Sequence, residues 1–220
     1  MIMLCSGKET PGNECFVRGF TVMRAFVAIE VSEGVAVRLA DVQLRLQEAL
    51  GGRAVRWVRA DAIHMTLKFL GKISAEQASR LSQELGRAAQ SAEPFTLSAA
   101  GMGCFPHCRR PRLLWAGVEG DVTALKRLQS AAESCAARLG YAPDRRRFTA
   151  HLTIGRVRSG LQRAEAHALR KAMRGVEEER FAQWRVTEMV LMQSTLARGG
   201  AQHARWARIP FQRDDRIAIG

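Results

Sequence analysis

The chain has 220 residues, is 47% hydrophobic, and carries a net charge of +13 from 34 Lys and Arg against 21 Asp and Glu. That length buries enough apolar surface for a stable core, and no apolar run reaches the length of a membrane span. The basic excess favours a polyanionic partner through steering and counterion release, although charge alone does not single out nucleic acid.

The first 22 residues carry Lys8, Glu9, Pro11, Gly12, Asn13 and Glu14. They lack the continuous apolar core of a signal peptide and read as a disordered extension. Residues 23–220 read as one domain. The run Arg24–Val31 predicts a strand. A helix follows, capped by Ser32, with Val35, Leu39, Val42, Leu46 and Leu50 on one face and Gly51 and Gly52 as its stop. A strand is predicted at Ile63–Leu70. A second helix starts at Ser74, with Gln77 completing a capping box, and a strand at Phe95–Gly101 closes the unit.

The same order then repeats. A strand at Arg112–Val118 is followed by a helix capped by Asp121, with Val122, Leu125, Leu128, Ala132, Cys135 and Leu139 on one face. A central strand at Ala150–Val157, a helix over about Gln162–Arg174, and strands at Arg185–Ser194 and Ala204–Pro210 complete the chain. One histidine sits near the start of each middle strand: His64 lies 39 residues after Ala25, and His151 lies 38 after Leu113. This pattern predicts a bilobal α+β fold: two mainly antiparallel sheets with helices on the outer faces, a pseudo-twofold, and one central groove.

Five cysteines, Cys5, Cys15, Cys104, Cys108 and Cys135, form no CxxC pair. Their odd number argues against a disulfide framework and for a reducing cytoplasm. Cys104, His107 and Cys108 sit close in sequence but lack a second ligand pair, so no metal is expected.

His64-Met65-Thr66-Leu67 and His151-Leu152-Thr153-Ile154 have the same form. Residues two apart share a strand face. His64 and Thr66 should therefore face one way, and Met65, Leu67 and Phe69 the other; His151 and Thr153 oppose Leu152 and Ile154 likewise. Each strand would then pack one face and offer an imidazole and a hydroxyl on the other. Two such strands suit in-line displacement at phosphorus. One ring takes a proton, the other supplies one, and the hydroxyls hold the non-bridging oxygens. A strained five-membered cyclic phosphate is already activated and needs no cofactor. His107, His167 and His203 lack a Thr two residues on and read as surface or loop residues.

The runs RAFVAIEV, RWVRADAIHMTLKFLGKI, FPHCRRPRLLWAGV, RRFTAHLTIGRV and VTEMVLMQSTLARGGAQHARW resemble the two-histidine phosphoesterases. They look most like the bacterial and archaeal RNA 2′,3′-cyclic phosphodiesterases, once described as 2′–5′ RNA ligases. The resemblance spans Met23 to Phe211 and implies hydrolysis of RNA 2′,3′-cyclic ends, or of small cyclic nucleotides, to 2′-phosphates. It implies His64 as proton donor, His151 as proton acceptor, and Thr66 and Thr153 as phosphate contacts, in a cytoplasmic monomer. Arg156 fits the arginine often found after the second motif, although strict alternation turns it away from His151. Ala150 stands where relatives often have proline. Among Trp57, Phe105, Trp115 and Phe148, each a candidate for base stacking, Phe148 is taken as a possible substrate contact. Arg109, Arg110, Arg112 and Arg145–Arg147 are candidates for upstream phosphates. Reversible 2′–5′ ligation and non-catalytic RNA-end binding are the competing readings.

Overall fold

The computed structural model describes residues 15–17, 20–51, 54–158, 160–176, 179–197 and 200–212. Its first half runs β1 (Cys15–Val17), β2 (Phe20–Glu30), α1 (Glu33–Leu50), β3 (Val55–Trp57), β4 (His64–Ser74), α2 (Ala75–Ala89) and β5 (Phe95–Phe105). Its second half runs β6 (Leu113–Gly120), α3 (Val122–Arg138), β7 (His151–Val157), α4 (Arg163–Arg174), β8 (Arg180–Val186), β9 (Glu188–Ala197) and β10 (Gly200–Pro210).

The helices begin and end where their local chemistry dictates. The Ser32 hydroxyl accepts from the Val35 amide, and Gly51 closes α1 at φ 62°, a conformation glycine adopts at little cost. Ser74 and Gln77 cap α2 reciprocally, and the Asp121 carboxylate accepts from the Ala124 amide at the start of α3. Each helix buries one stripe. On α1 it includes Val35, Leu39, Val42, Leu46 and Leu50; on α3 it includes Leu125, Leu128, Ala132 and Cys135.

All the pairing is antiparallel. In the first sheet β2 pairs with β1, β4 and β9, and β10 pairs with β9; the second sheet has the order β3-β7-β6-β5-β8. Each half-chain gives its closing strand to the other sheet: β5 pairs with β6, and β9 with β2. This exchange ties the two lobes together. The main core joins both sheets and all four helices. On β2, Ala25, Val27 and Ile29 enter that core, while Phe26 and Ala28 join Val190 and Met192 in a separate cluster, as alternation requires of opposite faces.

Several expectations change. The strand read over Arg185–Ser194 is two strands, divided at Thr187 where the chain passes from one sheet to the other. No turn residue interrupts the apolar alternation there. Most of the expected extension over 1–22 lies outside the described residues, but Cys15–Val17 pairs with the start of β2. The argument against disulfides is also corrected. Cys104 and Cys108 are bridged, bringing the end of β5 to the loop before β6, and Cys135 is a buried free thiol. A bridge across four residues needs no framework, so counting cysteines could not detect it.

Candidate active site

The two motif strands lie in different sheets, yet they present their histidines in the same way. His64, Thr66, His151 and Thr153 are all half-buried, whereas Met65, Leu152 and Ile154 are fully buried and Leu67 nearly so. His64 Nδ1 lies 2.8 Å from the Ala62 carbonyl, and His151 Nδ1 lies 2.7 Å from that of Thr149. A carbonyl only accepts, so each Nδ1 carries the hydrogen and donates it. In both rings Nε2 is therefore the nitrogen whose protonation can change.

Ring contacts fix both imidazoles. Phe26 stacks on His64 at 4.8 Å between centroids, and His203 meets both rings edge-on, 5.1 Å from His64 and 5.0 Å from Phe26. In the other lobe, Phe105 meets His151 edge-on at 5.1 Å and Trp115 lies 6.5 Å away. Gly103 makes room for this arrangement: a Cβ there would fall 2.1 Å from the Trp115 ring. Of the four aromatics singled out as base-stacking candidates, Phe105 and Trp115 thus reach a catalytic candidate. Phe148 is half-buried and packs on the main core, as does Trp57.

Two bulges decide what else faces the site. The β2–β4 register shifts between Lys68 and Thr66 and again at Gly71. The first shift inverts the alternation, so Lys68 is buried and Phe69, expected on the packed face, is 68% exposed. The β6–β7 register shifts between Thr153 and Gly155, leaving Ile154 without a partner opposite. That shift supplies the bend which strict alternation denied Arg156. The Arg156 charge acts on both His64 and His203. The Ile154 carbonyl at this bulge accepts from the Val58 amide at 2.9 Å and from Gln43 Nε2 at 2.7 Å. Gln43 is buried on the core face of α1. A polar residue between Leu39 and Leu46 was the available sequence signal, and it was missed.

His203 was missed as well. It was read as a loop or surface residue, but it lies half-buried on β10 against His64. Its one sequence signal was its place in the last run of family resemblance. His107 and His167 are exposed, as expected.

The electrostatics are asymmetric. Burial pushes His64 down to about 4 from 6.5, against the opposing effect of its bond to Ala62, and the charges of His203, Arg156 and His151 add to the depression. Burial and Arg156 also lower His203, and burial and Arg56 lower Arg156. A neutral His64 within reach of the Arg156 charge is prepared for an anion.

This asymmetry has a measurable consequence for stability. Between pH 6.5 and 4 the unfolded chain protonates His64 and the native chain does not. The native state therefore loses stability as pH falls through that window, by roughly 3 kcal/mol from this ring. Urea unfolding of wild type and His64→Gln at pH 7 and pH 4 should show a smaller acid loss in the variant. Equal losses would contradict a buried neutral ring.

The sequence of this chain matches the model of the LigT-like phosphoesterases over residues 29–115 and 118–202, the two half-chains that each carry one motif. The chain belongs to the LigT-like phosphoesterase family. An RNA 2′,3′-cyclic phosphodiesterase of Archaeoglobus fulgidus is 32% identical over 180 residues, covering 81% of this chain and 94% of the relative. One from Methanothermobacter thermautotrophicus is 31% identical over 178 residues, covering 81% and 93%. Among solved structures, Escherichia coli LigT complexed with 3′-AMP superposes with a TM-score of 0.68 at 27% identity, covering 87% of this chain and 99% of that one. TT0787 of Thermus thermophilus shares the fold at a TM-score of 0.72 and 23% identity. As a LigT-like phosphoesterase, the chain is an enzyme of phosphoester bonds. Among the described residues, no helix is long and apolar enough to cross a membrane.

Proposed function

We propose that this LigT-like enzyme hydrolyses RNA 2′,3′-cyclic phosphate ends to 2′-phosphates, using His64 and His151 as an acid–base pair without a metal. The observation that carries this reading is the matched pair of imidazoles, each held through Nδ1 on the carbonyl two residues before it. Each offers Nε2 to the reaction.

His151 Nε2 takes a proton from water as the water oxygen bonds to phosphorus. The bond from phosphorus to the 3′-oxygen breaks on the opposite side, and the His64 Nε2–H gives its proton to that oxygen. Thr66 and Thr153 donate to the non-bridging oxygens, and Arg156 offsets their developing charge. Because His64 is neutral at rest, its Nε2 takes up a proton from solvent as the substrate binds: an anionic phosphate beside Nε2 raises the affinity of that nitrogen for a proton. The names of the relatives support the substrate, and the basic composition suits an RNA end.

The test is an end-group assay. An oligonucleotide ending in a 2′,3′-cyclic phosphate, incubated with the enzyme and excess EDTA, should yield a 2′-phosphate. A 3′-phosphate product, or activity abolished by EDTA and restored by a divalent ion, would overturn the mechanism.

A further inference from the structure

The disulfide between Cys104 and Cys108 lies next to the ring that meets His151. Neighbours on a strand face opposite ways, and the end of β5 shows it. The Cys104 sulfur is buried, 3.5 Å from Met173 Sδ on α4. The adjacent Phe105 ring meets His151 edge-on at 5.1 Å and Trp115 at 5.3 Å. Resting on the acid–base reading above, we propose that the Cys104–Cys108 bridge is a thiol–disulfide exchange site, reduced by a dithiol, that governs turnover by positioning Phe105 against His151.

The bridge is open to attack at one end. Cys108 is half-buried, and Pro106, His107, Arg109 and Arg110 around it are exposed, whereas Cys104 is buried. The two arginines place positive charge beside Cys108 and favour the approach of a thiolate. Exchange therefore begins at Cys108 Sγ. A thiolate of the reductant bonds to it, the bond between the two cysteine sulfurs breaks, and Cys104 leaves with the electron pair and takes up a proton. The second thiol of the reductant then displaces Cys108 from the mixed disulfide, and Cys108 is protonated in turn. The protein gains two electrons and two protons, and the dithiol becomes a disulfide.

The other bonds of the loop leave it dependent on the bridge. The Arg112 amide donates to the Phe105 carbonyl at 2.8 Å and closes the base of the loop, and the Arg110 amide donates to the His107 carbonyl within it. Neither bond ties residues 106–110 to the sheet, so the bridge seats them on the end of β5. His151 is sensitive to that seating. Its Nδ1 is held by the Thr149 carbonyl, and its aromatic neighbours, Phe105 and Trp115, also touch each other. Cutting the bridge frees the loop, loosens the edge-on contact of Phe105 and widens the range of angles open to the imidazole. A proton acceptor aligned with the attacking water for less of the time turns over more slowly. Thr66 and Thr153 keep their places, so the effect falls on kcat rather than KM.

The test uses the full chain, oxidised or reduced with dithiothreitol, and a nucleoside 2′,3′-cyclic monophosphate as substrate. Peptide mapping without reductant should find Cys104 joined to Cys108 in the oxidised form. On reduction kcat should fall about tenfold with KM unchanged. The His151 ring resonances should shift, while those of His64 stay in place and report an intact fold. Reoxidation should restore both readouts. Cys108→Ser should show the reduced kcat with or without dithiothreitol, Phe105→Leu should be slow and indifferent to it, and Cys135→Ser should respond as wild type does. A wild-type kcat indifferent to reduction, a Cys108→Ser variant that still responds, or free thiols at both positions after oxidation overturns the proposal. If neither form turns over the substrate, the reading of the reaction fails instead, and the His151 resonances alone decide whether the bridge positions that ring.

Discussion

Alanine at His151 should lower kcat/KM for cyclic-phosphate hydrolysis by about 10³-fold, and alanine at His64 by a similar factor, within the range that positioned acids and bases contribute. Neither loss should be traceable to unfolding. Both rings are half-buried at the end of a strand, and each is held by one backbone carbonyl and its aromatic neighbours. The double variant should be scarcely worse than either single one, because a proton donor without its acceptor no longer acts as part of a unit. Stopped-time product analysis on the cyclic mononucleotides measures all three. Two moderate and multiplicative losses would mean that the rings act independently.

The largest effect on stability should come from Lys68. Its ammonium is buried at 4% exposure, donates to Glu133 Oε2 at 2.7 Å, and also reaches the Ala142 carbonyl at 2.8 Å. This pair links β4 in the first sheet to α3 in the second half of the chain. Lys68→Ala strands the Glu133 carboxylate and an acceptor carbonyl, and should cost roughly 3–5 kcal/mol. The double variant Lys68→Met with Glu133→Leu should recover most of that loss, since a matched apolar pair removes both desolvation penalties. Chemical denaturation of the three variants decides it. A Lys68→Ala cost below about 1 kcal/mol would place this pair with ordinary surface bridges.

Much of this molecule was legible in its sequence because the signals were local. Ser32, Ser74 and Asp121 marked three helix starts, and the repeated His-x-Thr form placed both imidazoles on matching strands. The missed features depend on contacts distant in sequence or on departures from regular alternation. The bulges at Thr66–Lys68 and Thr153–Gly155 exchange which side chains face the groove, so Phe69 and Lys68 trade the places alternation assigns them and Arg156 turns toward the site. His203 becomes part of the site only because β10 folds back beside β9, far along the chain from His64. Gln43 looked like an imperfection in an apolar stripe, but its amide holds the β7 bulge in place.

The most direct measurement is a titration of the ¹⁵N-labelled imidazoles by a nucleoside 2′-phosphate, followed by NMR. Both Nε2 resonances, from His64 and His151, should move together with a single dissociation constant, and His64 should pass from neutral toward protonated as the anion binds. If only one ring responds, or if the two respond at different concentrations, no single phosphate is flanked by both.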